Sequence, residues 1–529
     1  MSYELVSSEK RQEIRMGGMK SMVGTGISRR TFMGKAALAA LAVKGKRLLA
    51  QEAGAVVKAP CGSLRGEVAE GIREFRGVPF AEPPVGALRF KAPVKMKAWS
   101  GERDATKFGP AAMQATATAE ASEDCLYLNV FTPEVLKEPL PVLVWIHGGG
   151  FTGGHASAEI ARFAKEGVVA VSVAYRLGVF GFLDVSPLLG ESYAGSANNA
   201  VRDLILALAW VRDNIEAFGG DPARVTAGGQ SAGGKLTDIL LGTPSAVGLF
   251  QQGISESGGA ERVWATVEEA HAVAKSFGEE WRKDSGKENA GLLTADAAAL
   301  IEVQKKFIKA WPHRSPLRPE LDGVLLKRLP VETIAAGSGK GKRLLIGSNR
   351  EESAAMIGTA PKEVDRREIG GVPPEAFDAV EAKYTALYPQ LTEERRRVRA
   401  LTAEEYWVPT VRCADAMVKG GGSVWMYLMV YAEDGGKYPG FAYHSEELSM
   451  VYGTPRKGFA NAATEAGLAA GIHPAWVGFI KGVAPAGPGL SVWPQYKSDT
   501  RATMVFDTTT RVEMKPQEAE LRLWDGLSW

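Results

Sequence analysis

Cysteine is scarce in this chain of 529 residues: three occur, at Cys61, Cys125 and Cys413. So few exclude a disulfide scaffold and allow one bridge at most. There is no C-x-x-C pair and no His/Cys cluster, so nothing points to a metal site. No apolar run reaches the roughly 18–20 residues that a bilayer span needs. Net charge is nearly absent as well, at +2, and even that is unevenly placed. Residues 1–50 hold ten Lys/Arg and three Glu, a local excess of seven positive charges, and the rest of the chain is net −5. The body therefore carries no basic surplus for nucleic acid. What remains is the composition of an ordinary soluble globular protein, 45% apolar and 23% charged.

The basic N-terminus contains Ser28-Arg29-Arg30 ahead of a short run of small apolar residues, Ala36–Val43, with Ala50 as a cleavage point. This resembles a bacterial twin-arginine export signal and predicts a periplasmic or extracellular protein. The alternative is a disordered basic tail on a cytoplasmic protein. On either reading residues 1–50 stand apart from the fold, and 51–529 form one domain.

Within that domain strand-like runs alternate with helical periodicity. "PVLVWIHGGG" (141–150) is a buried strand entering glycines, and "GVVAVSVAY" (167–175) is a second. Val201, Leu204, Leu208, Val211, Ile215 and Phe218 recur at spacings of three and four, one apolar helix face. "ARVTAGGQ" is a short strand, "AGGKLTDILLGT" opens a helix, and "RLLIGSN" (343–349) is another strand. The βαβ alternation predicts a mostly parallel sheet with helices on both faces. Residues 265–320 and 360–440 read as helical insertions capping the sheet.

Gly229-Gln230-Ser231-Ala232-Gly233 is a G-x-S-x-G match lying between a predicted strand and a predicted helix. That is where a nucleophile elbow exposes its serine, on a turn too sharp for side chains at the flanking glycines. The helix starting at Ala232 directs free N–H groups at developing negative charge. "HGGGF" (147–151) follows a strand, in the place of a loop whose N–H groups complete an oxyanion hole. A serine nucleophile needs a histidine base and an orienting carboxylate, in the order Ser, acid, His on this fold. Of six histidines, His147 and His155 precede Ser231, and His271 and His313 fall in the first insertion. His444 and His473 remain; loop context favours His444, whereas His473 precedes Pro474 at an apparent helix start. The acid lies in "LLIGSNREES", and spacing does not choose between Glu351 and Glu352.

These blocks stand in order with "FRGVPFAEPPVGALRF" (75–90), "SEDCLYLNVFTP" (122–133), "YRLGVFGFL" (175–183), "NIEAFGGDPARVTAGGQSAGG" (214–234), "IGSNREES" and "YHSEEL". From about residue 55 onwards the chain resembles the type-B carboxylesterases, the group of the bacterial para-nitrobenzyl esterases and the cholinesterases. The resemblance implies an α/β-hydrolase fold with a helical cap over the active site, and serine-dependent hydrolysis of small-molecule carboxylic esters without a cofactor. It implies Ser231 as nucleophile, Glu352 as acid and His444 as base, with Gly149, Gly150 and Ala232 giving the oxyanion-hole N–H groups. It also implies buried ion pairs Arg89–Glu123 and Arg176–Asp203. The family's disulfide partner for Cys125 is absent near Ala112, which leaves Cys125 unbridged unless Cys61 reaches it. Gln230 stands where the family usually carries Glu. Alternative readings are amide or carbamate cleavage on the same triad, or a non-catalytic binding protein on the same fold.

Overall fold

In the computed structural model of the chain, the residues described are 55–527, except 116–119, 313–314, 357–370, 436 and 459. The N-terminal segment read above as an export signal lies outside them, as do His313 and the start of the second insertion. The centre of the molecule is an eleven-stranded sheet. In chain order its strands are β1 (Glu67–Ala69), β2 (Ile72–Pro79), β3 (Tyr127–Pro133), β4 (Leu140–Ile146), β5 (Val169–Val173), β6 (Gly220–Gln230), β7 (Gln252–Glu256), β8 (Arg343–Asn349), β9 (Ser423–Met429), β10 (Ala502–Phe506) and β11 (Arg511–Met514). Across the sheet they run β11-β10-β9-β8-β7-β6-β4-β5-β3-β2-β1. The seven strands from β10 to β5 in that order are parallel, and both edges turn antiparallel. This is the α/β-hydrolase arrangement, a mostly parallel sheet flanked by helices.

The strands form because nearly every position is apolar and both faces are buried. Val142, Val144 and Ile146 of β4 enter one core, while Leu143 and Trp145 enter the other. β9 divides the same way, Val424, Met426 and Leu428 against Trp425, Tyr427 and Met429. This is the two-residue alternation of a strand, with each face covered by helices.

The longer helices, in chain order, are α1 (Asn199–Asn214), α2 (Ala232–Leu241), α3 (Val267–Ser285), α4 (Ala297–Ala310), α5 (Pro374–Leu387), α6 (Glu393–Thr402), α7 (Val408–Lys419) and α8 (Ala462–Ile480). The expected apolar face of α1 is buried, from Val201 to Val211, and it continues through Ile215 and Phe218 to Gly219, which ends the helix at φ 87°. The first insertion is helical as read, comprising α3 and α4. The second requires correction: 360–440 includes β9, an interior strand of the sheet, and α7 packs against it and β8. The polar helices before "SVWMYLM" hid a strand that is itself a continuous apolar run. A further correction concerns His473, which lies inside α8 rather than at a helix start. Burial of Leu468, Ile472, Trp476 and Phe479 carries that helix through Pro474 despite the lost hydrogen bond.

Both implied ion pairs are present, Arg176–Asp203 buried and Arg89–Glu123 partly so. Arg176 Nε and Nη2 lie 2.9 and 2.7 Å from the Asp203 carboxylate. Arg89 pairs with Glu123 and also donates to the carbonyls of Leu292 and Ala295 at 2.9 and 2.7 Å, tying the α3–α4 connection to the body. Cys61, Cys125 and Cys413 are all free thiols, and burial raises the pKa of Cys125. Among the described residues no helix is long and apolar enough to cross a membrane.

Candidate active site

β6 and α2 meet at one residue, Ser231, whose backbone sits at φ 58°, ψ −124°. A non-glycine residue held there costs on the order of 1–3 kcal/mol and persists only where its surroundings over-determine it. They do. The Ser231 N–H donates to the Glu256 carbonyl of β7 at 2.8 Å, and its own carbonyl accepts from Lys235 N at 2.9 Å. The flanking glycines are required by backbone contacts. A Cβ at Gly233 would stand 1.9 Å from the Ile146 carbonyl oxygen, at Gly229 2.4 Å from the same atom, and at Gly234 2.6 Å from the Glu256 oxygen.

The loop leaving β4 closes over this turn. A Cβ at Gly148 would lie 2.9 Å from the Gln230 oxygen. Gly149 adopts φ 118°, and its carbonyl accepts from Gly153 N at 2.9 Å, so the chain doubles back and brings Gly149 and Gly150 to the wall of the Ser231 cavity. Ala232 lines the same cavity at the start of α2, where the first N–H groups have no helical acceptor. His147 braces the loop: its ring stacks on Tyr175 at 4.4 Å, and its carbonyl accepts from the Tyr175 hydroxyl at 2.7 Å. Burial lowers its pKa to about 4, so it is a neutral strut rather than a base.

The two candidate acids follow just after the end of β8, and they point apart. Glu352 reaches into the site, its Oε1 accepting from Ser257 Oγ at 2.6 Å and from Asn349 N at 2.7 Å. Its Oε2 lies 2.5 Å from His444 Nδ1, and His444 Nε2 lies 2.8 Å from Ser231 Oγ. The tautomer consistent with both contacts donates Nδ1–H to the carboxylate and accepts the serine hydroxyl proton at Nε2. Glu351 turns away from His444 and, itself buried, accepts from Arg350 Nε at 2.7 Å and Ala442 N at 3.1 Å. His473 is remote from this relay, its Nδ1 2.8 Å from the Val451 carbonyl.

The segment carrying His444 has no regular structure and is held by charge. Arg456 meets Glu433 at 2.9 Å, Glu465 at 3.2 Å and Glu446 at 3.9 Å, all three carboxylates buried. Glu446 accepts from the N–H groups of Glu433 and Tyr443 at 3.0 and 3.1 Å, and Asn349 Nδ2 donates to the Tyr443 carbonyl at 2.7 Å. Beneath Glu352 lies Glu447, its pKa raised to about 7 by burial and then by the Glu352 charge. Burial and then Glu447 raise that of Glu256, which accepts from Trp476 Nε1 at 2.7 Å.

The cavity at Ser231 has a volume of about 460 Å³, and both insertion regions contribute to it, through Ser315 and through Glu405 and Tyr406. Lys235 and Arg262 also line it, and motif reading did not single them out. Lys235 had a visible signal, standing one helical turn after Ser231. Arg262 had none, since Glu405 is distant in sequence, and Glu433, Glu446 and Glu465 stand at no helical or strand spacing from Arg456.

Comparison with known proteins places this geometry among relatives. The Carboxylesterase family matches residues 53–524. The para-nitrobenzyl esterase of Bacillus subtilis is 34% identical over 486 residues, covering 87% of this chain and 96% of that protein. The fumonisin B1 esterase of Sphingopyxis macrogoltabida is 32% identical, covering 80% and 82%. A crystal structure of a Geobacillus stearothermophilus carboxylesterase superposes with a TM-score of 0.79 at 34% identity, covering 89% of this chain and all of that one.

Proposed function

The chain belongs to the carboxylesterase family and is a carboxylic ester hydrolase, and from that premise we propose that Ser231, His444 and Glu352 carry the reaction through an acyl-enzyme. His444 Nε2 takes the Ser231 proton as Oγ attacks the ester carbonyl. Glu352 holds the imidazole in the reactive tautomer and balances the imidazolium. The N–H groups of Gly149, Gly150 and Ala232 hold the oxyanion, and His444 then returns the proton to the departing alcohol. Water, deprotonated by the same histidine, releases the acid. The observation that carries this reading is the relay itself, 2.5 and 2.8 Å from Glu352 through His444 to Ser231.

The test is a fluorophosphonate probe that phosphonylates activated serines. We expect stoichiometric labelling at Ser231, lost in Ser231→Ala and strongly slowed in His444→Ala. Absence of labelling in folded protein that also fails to cleave simple esters would overturn the assignment. We also propose export through the twin-arginine pair, supported by Arg29-Arg30 and the apolar run after them. Arg29→Lys with Arg30→Lys should retain the protein in the cytoplasm of a bacterial host, and cleaved material should begin near Gln51. Full-length protein found in the cytoplasm of the native host would sink that proposal.

A further inference from the structure

The loop that carries Gly149 and Gly150 runs over residues 148–154 and has glycine at five of its seven positions. Glycine has more backbone freedom to lose on ordering than any other residue. An oxyanion hole acts only if its N–H groups are fixed before charge develops. This loop is therefore the part of the site most in need of outside support. At its start the Tyr175 hydroxyl holds the His147 carbonyl. In its middle Gly178 N donates to the Phe151 carbonyl at 2.8 Å, and the Gly149 carbonyl accepts from Thr152 N and Gly153 N at 3.2 and 2.9 Å. At its end one side chain takes both backbone groups of Gly154. Gln114 Oε1 accepts from Gly154 N at 3.0 Å, and Gln114 Nε2 donates to the Gly154 carbonyl at 2.8 Å.

The pattern selects the residue type. Nε2 also donates to the Ala112 carbonyl at 3.1 Å, so both of its hydrogens are used. Turned over, the amide would set N–H against N–H and its oxygen against two carbonyls. A glutamate would meet those carbonyls with a charge. Gln114 is anchored in turn, since Ala112 is buried and Ala111 N donates to the Glu120 carbonyl at 3.2 Å. Gly154, at φ 106°, is pressed against the other end of the loop: a Cβ there would stand 2.2 Å from the Gly148 carbonyl oxygen. A Cβ on Gly149 would stand 2.1 Å from the Gly153 oxygen. A shift at Gly154 is therefore passed to Gly149 by direct contact. Gln114 is not on the wall of the Ser231 cavity; it lines, with Gly154, a separate one of about 520 Å³.

We propose that Gln114 is a positioning residue for the oxyanion hole, its amide clamping Gly154 and so fixing the N–H groups of Gly149 and Gly150. The inference rests on the esterase reading above and adds a residue to it. Gln114 touches no reacting atom and exchanges no proton; it sets where the hydrogen bonds to the oxyanion point.

The experiment compares ethyl butyrate with O-ethyl thionobutyrate, in which sulfur replaces the carbonyl oxygen, followed by ethanol release, which both give. Sulfur accepts hydrogen bonds weakly, so its ester depends less on the hole. Gln114→Met keeps the shape and removes the bonds. The kcat for the oxygen ester should fall by about tenfold with KM changed by less than about twofold, and the ratio of kcat/KM for oxygen over sulfur should fall by about tenfold. The acid limb of kcat/KM should stay where it is, because the charges around His444 are untouched. Gln114→Glu, equal in length and lacking the donor, should act in the same direction and serves if the Met variant does not fold. In the unsubstituted protein the Gly154 amide should exchange at least about a hundredfold more slowly than a free amide. If the variants keep full activity, or lose it equally on the two esters, or move the acid limb, or if the Gly154 amide is unprotected, this inference falls, while fluorophosphonate labelling of Ser231 keeps the esterase reading. A wild type that is not labelled and hydrolyses neither ester removes that reading, and this one with it.

Discussion

Around Ser231, the atoms that a side chain on the neighbouring glycines would strike are backbone oxygens of β4 and β7. Around His444, the fixing contacts are carboxylates, an arginine and a few N–H groups. The first half of the relay is set by volume and the second by charge. Volume exclusion is insensitive to pH and salt, and it fails abruptly when a methyl group is added. Charge fails gradually and responds to both. Ser231 is thus built to stay put, and His444 is held by contacts that conditions can weaken.

The largest way to test the two halves is to remove the reacting groups themselves. Ser231→Ala and His444→Ala should each lower kcat by roughly four to six orders of magnitude, with little change in Tm, because the residues act as a unit. Glu352→Gln should cost roughly two to four orders and Glu351→Gln less than about threefold. If Glu351→Gln is the more damaging of that pair, the acid has been misassigned.

Breaking each scaffold comes next. Gly233→Ala forces a methyl group against the Ile146 carbonyl, and should cost on the order of 3 kcal/mol or leave no soluble protein. Arg456→Met should fold, lose about tenfold in kcat/KM, and speed hydrogen exchange at residues 438–446 while 229–234 stay protected. Equal loosening of both segments would erase the distinction between them.

A smaller effect concerns pH. Glu447 keeps its proton to about pH 7 in the folded chain, against 4.5 ordinarily. Its contribution to stability is therefore full below about 4.5 and is lost as pH rises through 7. Glu447→Gln cannot titrate, so its Tm relative to the parent should climb by roughly 2–5 °C between pH 5 and pH 8 and then level off. A difference that is flat, or that falls with pH, contradicts the assigned shift.

The smallest effect introduces charge into the volume-set half. Gln230→Glu places a carboxylate beside the nucleophile in the cavity that His444 also lines. The acid limb of kcat/KM should move up by about half to one unit, because nearby negative charge favours the imidazolium. An acid limb that does not move means position 230 is not sensed by the imidazole.

The same contrast explains what could be read from the residues alone. Ser231 and the HGGGF loop were legible because their requirements are local: a sharp turn needs glycine within three residues, and the letters state it. Glu351 against Glu352 was not legible. Both lie past the end of β8, in a turn where strand alternation no longer applies, and the choice follows from Ala442 pairing with Glu351, some ninety residues away. His444 was found by elimination and by loop context, and its supports on Arg456 left no trace in spacing. β9 was lost inside the second insertion because polar helices precede it, although "SVWMYLM" is an apolar run like those of its neighbours. Lys235 was visible one turn beyond the serine and was passed over, since its meaning depends on Arg262 and Glu405, which the fold brings to it.

The crowding at Gly148, Gly229, Gly233 and Gly234 also bears on how such an enzyme can change over time. Those four positions admit no larger residue without moving a strand, so random mutation there yields dead protein rather than new specificity. Ser315, Glu405 and Tyr406 lie on irregular or helical segments outside the sheet, and no strand has to move when they are replaced, although Glu405 and Tyr406 also meet Lys235 of α2. A mutant library aimed at a new ester therefore belongs on the cap, and selection under pressure for a new substrate should enrich substitutions there while the glycines remain fixed.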